Sequence, residues 1–492
     1  MNPTTSAPWP AQASARFHEL RMLIAGEWTR GQGARAEAVL DPSTEASLGD
    51  LPLASDADLA RAAESAAAAF PAWARAPAIE RRRILLEAAR LIRERAELIA
   101  HVMTLEQGKP LAEARGEVVG AAEIFEWYAE ETRRIYGRVI PARQSNARHW
   151  VQHEAVGPVA AFTPWNFPAL TPARKIAGAL AAGCTCVIKP SEETPGTALE
   201  LARACVDAGL PAGALNVVFG VPAEVSEFLI RHPAIRKITF TGSTQVGMQL
   251  ASLAALHGAK RCTMELGGHA PVLVFDDCDV EAVAQACAGS RLRNAGQVCV
   301  AASRFYVHRA VHARFVERFA QCAGSAVIGS GLRAETTLGP LANARRLAAM
   351  SGFVDDALAR GASLVTGGNR VGEGGYFFAP TLITDMPDAA RVMREETFGP
   401  IAPVTTFDTV QEAIDRANAL PYGLAAYAFT DSARTARAVG DGLQSGMVGI
   451  NTFGVSLAEA PFGGVRESGY GSEGGTEGLQ AYLSTKFIAH LA

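Results

Sequence analysis

From Pro158 onward the chain alternates short β-rich runs with Ala- and Leu-rich helical stretches, and this rhythm limits the possible folds more than any other feature. The runs Val159-Phe162, Thr185-Lys189, Leu215-Gly220 and Lys237-Gly242 are each separated by a helix-length segment. Strand, helix, strand at that spacing predicts a parallel sheet covered by helices. A second series follows Gly267-Gly268, with strand candidates Val272-Phe275, Arg304-His308 and Ile401-Thr406 and helices near Val280-Ala288, Ala310-Gly324 and Ala342-Arg360. The fold class is therefore α/β with two sheets, joined near Leu266-Gly268. Upstream, Asp56 to Gly108 carries Ile84, Leu85, Ala88, Leu91 and Ile92 at helical spacing and predicts two or three amphipathic helices ending near Gly108-Lys109-Pro110.

Composition narrows the function. With 492 residues, 49% of them hydrophobic, the chain has room for several domains and a large core. Its 46 Lys and Arg stand against 50 Asp and Glu without a long like-charged block, so the basic stripe of a nucleic-acid binder is missing. The best apolar stretch, Ile176 to Ile188, is interrupted by Thr185 and too short to span a bilayer. Eight cysteines lie mid-chain with no CxxC pair, which reads as a reduced, cytoplasmic protein. The first 18 residues hold one Arg and no acid, as a transit peptide would, but Pro3, Pro8 and Pro10 oppose an amphipathic helix there. Small molecules and copies of itself are the expected partners.

Five stretches combine Gly, Pro and polar residues beside an apolar strand. In Phe162-Thr163-Pro164-Trp165-Asn166-Phe167-Pro168, Asn166 could donate to a developing oxyanion or cap the next helix. In Lys189-Pro190-Ser191-Glu192-Glu193, a Lys and an acid at a sheet edge suit ribose hydroxyls, or form a solvated turn. Thr241-Gly242-Ser243-Thr244-Gln245-Val246-Gly247 places free amides where a helix starts and suits a phosphate, though it is neither a Walker A loop nor GxGxxG. Glu265 precedes Gly267-Gly268 at a strand end. Finally, Asn294-Ala295-Gly296-Gln297-Val298-Cys299 sets a cysteine after a polar turn, where nearby amides can stabilise a thiolate. The remaining seven cysteines read as packing residues. No metal site is expected, since His149 and His153 lack an HExxH glutamate and Cys184-Thr185-Cys186 has no second pair.

Taken together, FTPWNFP, VIKPSEETP, FTGST, ELGG, GQVC, EETFGP and PFGG, in this order over about residues 20–490, resemble the NAD(P)-dependent aldehyde dehydrogenase superfamily, and in particular its succinate-semialdehyde dehydrogenases. The resemblance implies a Rossmann-type cofactor domain (1–132 and 153–266), an α/β catalytic domain (267–465) and a small β oligomerisation arm (133–152 and 478–492). It implies Cys299 as nucleophile, Asn166 with the Cys299 N–H as oxyanion donors, and Glu265 as the base that hydrolyses a thioester. Lys189 and Glu192 match residues that hold the adenosine ribose, Ser243 a pyrophosphate contact, and Glu396 with Phe398 the nicotinamide-ribose grip, Trp165 lying in the same region. A carboxylate at Glu192 should favour NAD over NADP. Arg174 and Arg293 resemble the arginines that grip a distal carboxylate, and Ser456 approximates a substrate-binding serine, which points to succinate semialdehyde or a related acidic semialdehyde. Aliphatic or aromatic aldehydes are the alternative, and a thioesterase or acyltransferase without nicotinamide is an alternative of another class. Glu473 stands where some members place a proton-relay acid. His269 and Arg466 replace the family's usual lysines, and a homodimer or homotetramer is expected.

Overall fold

The computed structural model describes residues 11–491; the leader prolines Pro3, Pro8 and Pro10 lie outside them. The helical segment after Asp56 forms three helices, Asp56–Arg75, Ala78–Glu94 and Ala96–Gln107, followed by a fourth, Leu111–Glu131. Ser55 starts the first through a capping box with Asp58, which satisfies amides that would otherwise lack partners. Gly108 ends the third in the left-handed conformation, with φ of 92°, a geometry glycine adopts without a β-carbon clash.

The first sheet has eight strands in the order Gly469–Tyr470, Arg261–Glu265, Lys237–Thr241, Val159–Phe162, Cys186–Lys189, Leu215–Val217, Met22–Ile24, Glu27–Thr29. Its five central strands are parallel. Val159–Phe162 and Cys186–Lys189 are buried at every position, as expected of strands with helices on both faces. The chain runs outward from Val159–Phe162 through two neighbours, then returns to Lys237–Thr241 on its other side. That reversal makes a crevice at the carboxyl ends of these two strands, where open α/β sheets bind ligands.

The register puts the expected site residues in one row along this edge. Lys189 pairs with Phe162, Phe162 with Phe240, and Thr241 with Glu265. The second sheet has seven strands, Ser363–Thr366, Thr381–Thr384, Ile401–Phe407, Arg304–His308, Pro271–Val274, Ala425–Phe429 and Met447–Ile450, all parallel but the first. Only residues 266–270 separate it from the strand that ends at Glu265. Later the chain comes back to the first sheet: Gly469 and Tyr470 pair antiparallel with Glu265 and Met264. A third sheet joins Arg138–Ile140, Ala147–Ala155 and Leu483–Leu491 and leaves Val139, Phe487 and Leu491 exposed.

Candidate active site

A cavity of about 230 Å³ opens between the two sheets, and Trp165, Asn166, Ser243, Cys299, Glu396 and Phe398 line it. Six residues singled out from four separate stretches therefore meet in one place.

The loop that carries Cys299 is held in a demanding shape. Asn294, Ala295 and Gly296 all take positive φ, at 50°, 52° and 74°. A β-carbon on Gly296 would run into the carbonyl oxygen of Gly399, so this position requires glycine. Two side chains hold the loop from outside. Gln107 donates to Asn294 Oδ1 at 2.9 Å, and Glu113 accepts from the Asn294 N–H at 2.8 Å.

Asn166 is buried, and its Nδ2 donates to the Gln297 carbonyl at 3.0 Å. It caps no helix. The helix Leu170–Ala182 is instead served by Glu117, whose carboxylate accepts from the Ala169 and Leu170 amides at 2.8 and 3.2 Å. Lys109 completes this support: its ammonium bonds the other oxygen of Glu117 and reaches the Asn166 carbonyl at 2.8 Å. Both partners of this ion pair are about 1% exposed.

One expectation fails. Cys299 is half-buried, but its thiol is pushed up to about 12, first by burial and then by the charges of Glu396 and Glu265. Backbone amides at Cys299 and Val300 favour the thiolate, but two nearby carboxylates and lost hydration outweigh them. The resting sulfur is a protonated thiol.

Glu265 is buried, and neither carboxylate oxygen has a hydrogen-bond partner among the described residues. Burial and the neighbouring charge of Glu473 raise its pKa well above the usual carboxylate range. It stands outside the wall of the Cys299 cavity yet near enough to act electrostatically on the thiol. Behind it, Glu473 is bonded to the buried Lys175 ammonium, which also reaches Thr241 Oγ1 at 2.7 Å.

On the opposite wall, Glu396 accepts from the Gly268 N–H at 3.1 Å and is raised to about 7 by burial. Phe398 lies edge-to-face with Trp165, centroids 5.4 Å apart. Arg346, on the helix Ala344–Ala359, closes the rim with its guanidinium 5.9 Å from the Phe398 ring centre. Ser243 caps the helix Thr244–Leu256 and is exposed, leaving that helix start open to the cleft. Lys189 and Glu192 are joined directly at the end of the next strand but one. These groups fit a dinucleotide: an acid and a lysine for a ribose, an open helix start for phosphate, and a carboxylate beside an aromatic ring.

The three expected substrate contacts do not share the Cys299 cavity. Arg174 Nη2 donates to Ser456 Oγ at 3.1 Å, and both line a cavity of about 470 Å³ with Ile124, Trp127 and Leu170. Arg293 lines another with Val298, Val300, Tyr427 and Phe453, its guanidinium 5.3 Å from the Phe167 ring centre. Phe167 also lines the Cys299 cavity. His269 is buried with its ring bonded to the Val392 carbonyl at 3.0 Å, and Arg466 bonds the Tyr422 carbonyl at 2.6 Å, so each replacement serves a backbone carbonyl. Among the described residues no group of His, Cys, Asp and Glu could hold a metal ion, and no helix is long and apolar enough to cross a membrane.

Sequence reasoning missed Lys109, Glu117, Lys175, Asn294 and Arg346. Gln107-Gly108-Lys109-Pro110 was legible only as a helix stop, although a lysine between Gly and Pro has no capping use and hinted at a buried task.

A cysteine, a buried carboxylate and a crevice whose groups fit a dinucleotide thus meet between these two sheets. The chain belongs to the aldehyde dehydrogenase family, whose model matches residues 28–488, as the motifs led one to expect. It is 49% identical over 471 residues to the 4-(hydroxymethyl)benzenesulfonate dehydrogenase of Comamonas testosteroni, covering 96% of this chain and 98% of that protein. It is 44% identical over 466 residues to the NADP-named succinate-semialdehyde dehydrogenase of Escherichia coli K12, covering 95% and 96%. The crystal structure of succinate-semialdehyde dehydrogenase from Burkholderia pseudomallei superposes with a TM-score of 0.95 at 41% identity, covering 99% of this chain and all of that one.

Proposed function

We propose that this enzyme oxidises an aldehyde with a distal acidic group, succinate semialdehyde or a related acidic semialdehyde, to the carboxylic acid, with NAD as acceptor. The observation that carries the substrate reading is Arg174. Its side chain is buried, one guanidinium nitrogen serves Ser456, and the other, Nη1, has no partner. A buried cationic donor without an acceptor is costly unless a ligand supplies one. A carboxylate or sulfonate does so.

Cys299 attacks the aldehyde carbon, and the oxygen that becomes anionic is held by Asn166 Nδ2 and the Cys299 N–H. Because the resting sulfur is protonated, its proton must leave as the sulfur–carbon bond forms; Glu396 and Glu265 are the carboxylates whose charges act on the thiol, Glu396 the more strongly. Bound NAD supplies the acceptor for a hydride. Cys299 is then acylated, and Glu265 draws a proton from the water that hydrolyses the thioester. Glu473 and Lys175 lie behind Glu265 as a route by which that proton can move on. Lys189 and Glu192 hold the adenosine ribose, Ser243 a phosphate, and Glu396 with Phe398 the nicotinamide end, Trp165 packing on Phe398. Glu192 accepts from a 2′-hydroxyl and repels a 2′-phosphate, which supports NAD.

On this reading residues 1–132 and 153–266 are the NAD-binding domain, 267–465 the catalytic domain, and 133–152 with 478–492 an arm that joins two or four copies in the cytoplasm. The exposed Val139, Phe487 and Leu491 support that arm. A second reading is an aromatic aldehyde bearing an acidic group, favoured by the volume and the Trp127 wall of the Arg174 cavity. NADH formation across acidic, aliphatic and aromatic aldehydes, with NAD and NADP, tests both. Equal kcat/KM for charged and neutral aldehydes of the same length would overturn the acidic class.

A further inference from the structure

The strand Cys186–Lys189 is followed by two adjacent glutamates that turn to different partners. Glu192 bonds Lys189. Glu193 instead faces the catalytic half: its Oε1 accepts from Asn343 Nδ2 at 2.8 Å and from Arg345 Nη2 at 2.7 Å. Asn343 is the cap of the helix Ala344–Ala359, and its Oδ1 accepts from the Arg346 N–H at 3.0 Å. A side-chain amide donor and a guanidinium, both from the start of one helix, thus converge on one carboxylate. A guanidinium beside an amide donor is chemistry that also binds a phosphate.

We infer that Asn343 and Arg345 form a latent phosphate site beside the adenosine ribose, and that Glu193 fills it and so acts with Glu192 to exclude a 2′-phosphate. This rests on the NAD reading above. The Arg345 side chain is 80% exposed, and Glu193 is the one carboxylate with which it pairs among the described residues. Glu37, from the Ala36–Leu40 strand, lies within electrostatic reach of Glu192, Lys189 and Arg345. The corner therefore sets three carboxylates, Glu37, Glu192 and Glu193, against two cations, Lys189 and Arg345. A 2′-phosphate adds a charge of about −1.5 to −2 to a corner already net negative. Were Glu193 neutral, the charges would balance and the Arg345 guanidinium would be free to turn. Discrimination thus resides in two neighbouring carboxylates with different tasks: Glu192 meets the ribose, and Glu193 keeps a cation occupied.

The test uses the full-length protein and two probes, 5′-AMP and adenosine 2′,5′-bisphosphate, with both dissociation constants measured by calorimetry. Their ratio on one protein cancels any loss of folded material. Wild type should favour 5′-AMP. Glu193→Gln should shift the ratio toward the bisphosphate on the order of tenfold, the worth of a released charge-assisted bond. Adding Arg345→Ala should reverse most of that gain. A ratio unmoved by Glu193→Gln, or a gain that survives Arg345→Ala, overturns the inference. Wild type binding both probes equally overturns the NAD reading instead, while a Glu193→Gln gain reversed by Arg345→Ala still supports the assignment of Arg345.

Discussion

Asn166 and Gln297 are tied by a hydrogen bond of 3.0 Å from the Asn166 side-chain amide to the Gln297 carbonyl, two residues before Cys299. The loop from the first sheet is thereby fastened to the loop bearing Cys299. One Nδ2 hydrogen is used in that bond, leaving the second for a substrate oxygen. Asn166→Ala should lower kcat by about 10²–10³-fold, the cost of one preorganised oxyanion donor, and change KM for the aldehyde only a few-fold. Steady-state kinetics on variants of matched thermal stability check this; an unchanged kcat would remove Asn166 from the reaction.

Glu265 has two buried oxygens with no hydrogen-bond partner among the described residues, and the base role proposed for it can be tested directly. Glu265→Gln should slow turnover by about 10²-fold or more and leave an acyl adduct on Cys299, visible by intact mass spectrometry after mixing with substrate and NAD. Full turnover with no adduct would exclude the general-base role.

Glu396 gives a pH signature with a definite sign. Its folded pKa of about 7 lies above its ordinary 4.5, so between these values the unfolded chain releases a proton that the fold retains. The stability it contributes is fully present below about pH 4.5 and lost as the pH rises through about 7. Glu396→Gln, neutral throughout, should gain a few degrees of melting temperature relative to wild type across this window and nothing further above about pH 8. A pH-independent gap between the two melting curves would contradict the buried acid.

Lys109 and Glu117 form a dry ion pair that also caps a helix and holds the Asn166 carbonyl. Removing one partner strands a charge. Lys109→Met should cost about 3–5 kcal/mol in urea unfolding and depress kcat as well, since the Asn166 loop loses an anchor.

The sequence made the two sheets legible because their parallel strands are buried on both faces and read as short apolar runs. Val159–Phe162 and Arg304–His308 fall where they were expected. The Cys299 cavity was legible through loops that combine Gly, Pro and one reactive side chain. Charge supports such as Lys109 with Glu117 were not, because their meaning arises only when residues from separate helices meet. Nor could spacing along the chain reveal that Arg174 and Arg293 line different cavities, since Arg174 packs on the Phe462 ring and Arg293 on the Phe167 ring. The Cys299 thiol was misjudged for a related reason: amides near in sequence were visible, whereas the burial of the sulfur, and after it the charges of Glu396 and Glu265, distant in sequence, raise its pKa.

The antiparallel pairing of Gly469 and Tyr470 with Glu265 and Met264 also sets an order in time. While the chain is being synthesised, the strand ending in Glu265 remains an open edge for some two hundred further residues, covered on one side only. Its flank closes only when Gly469 and Tyr470 have been made. A chain made only to a point before Gly469 therefore still leaves the Glu265 edge of the first sheet uncovered on that side.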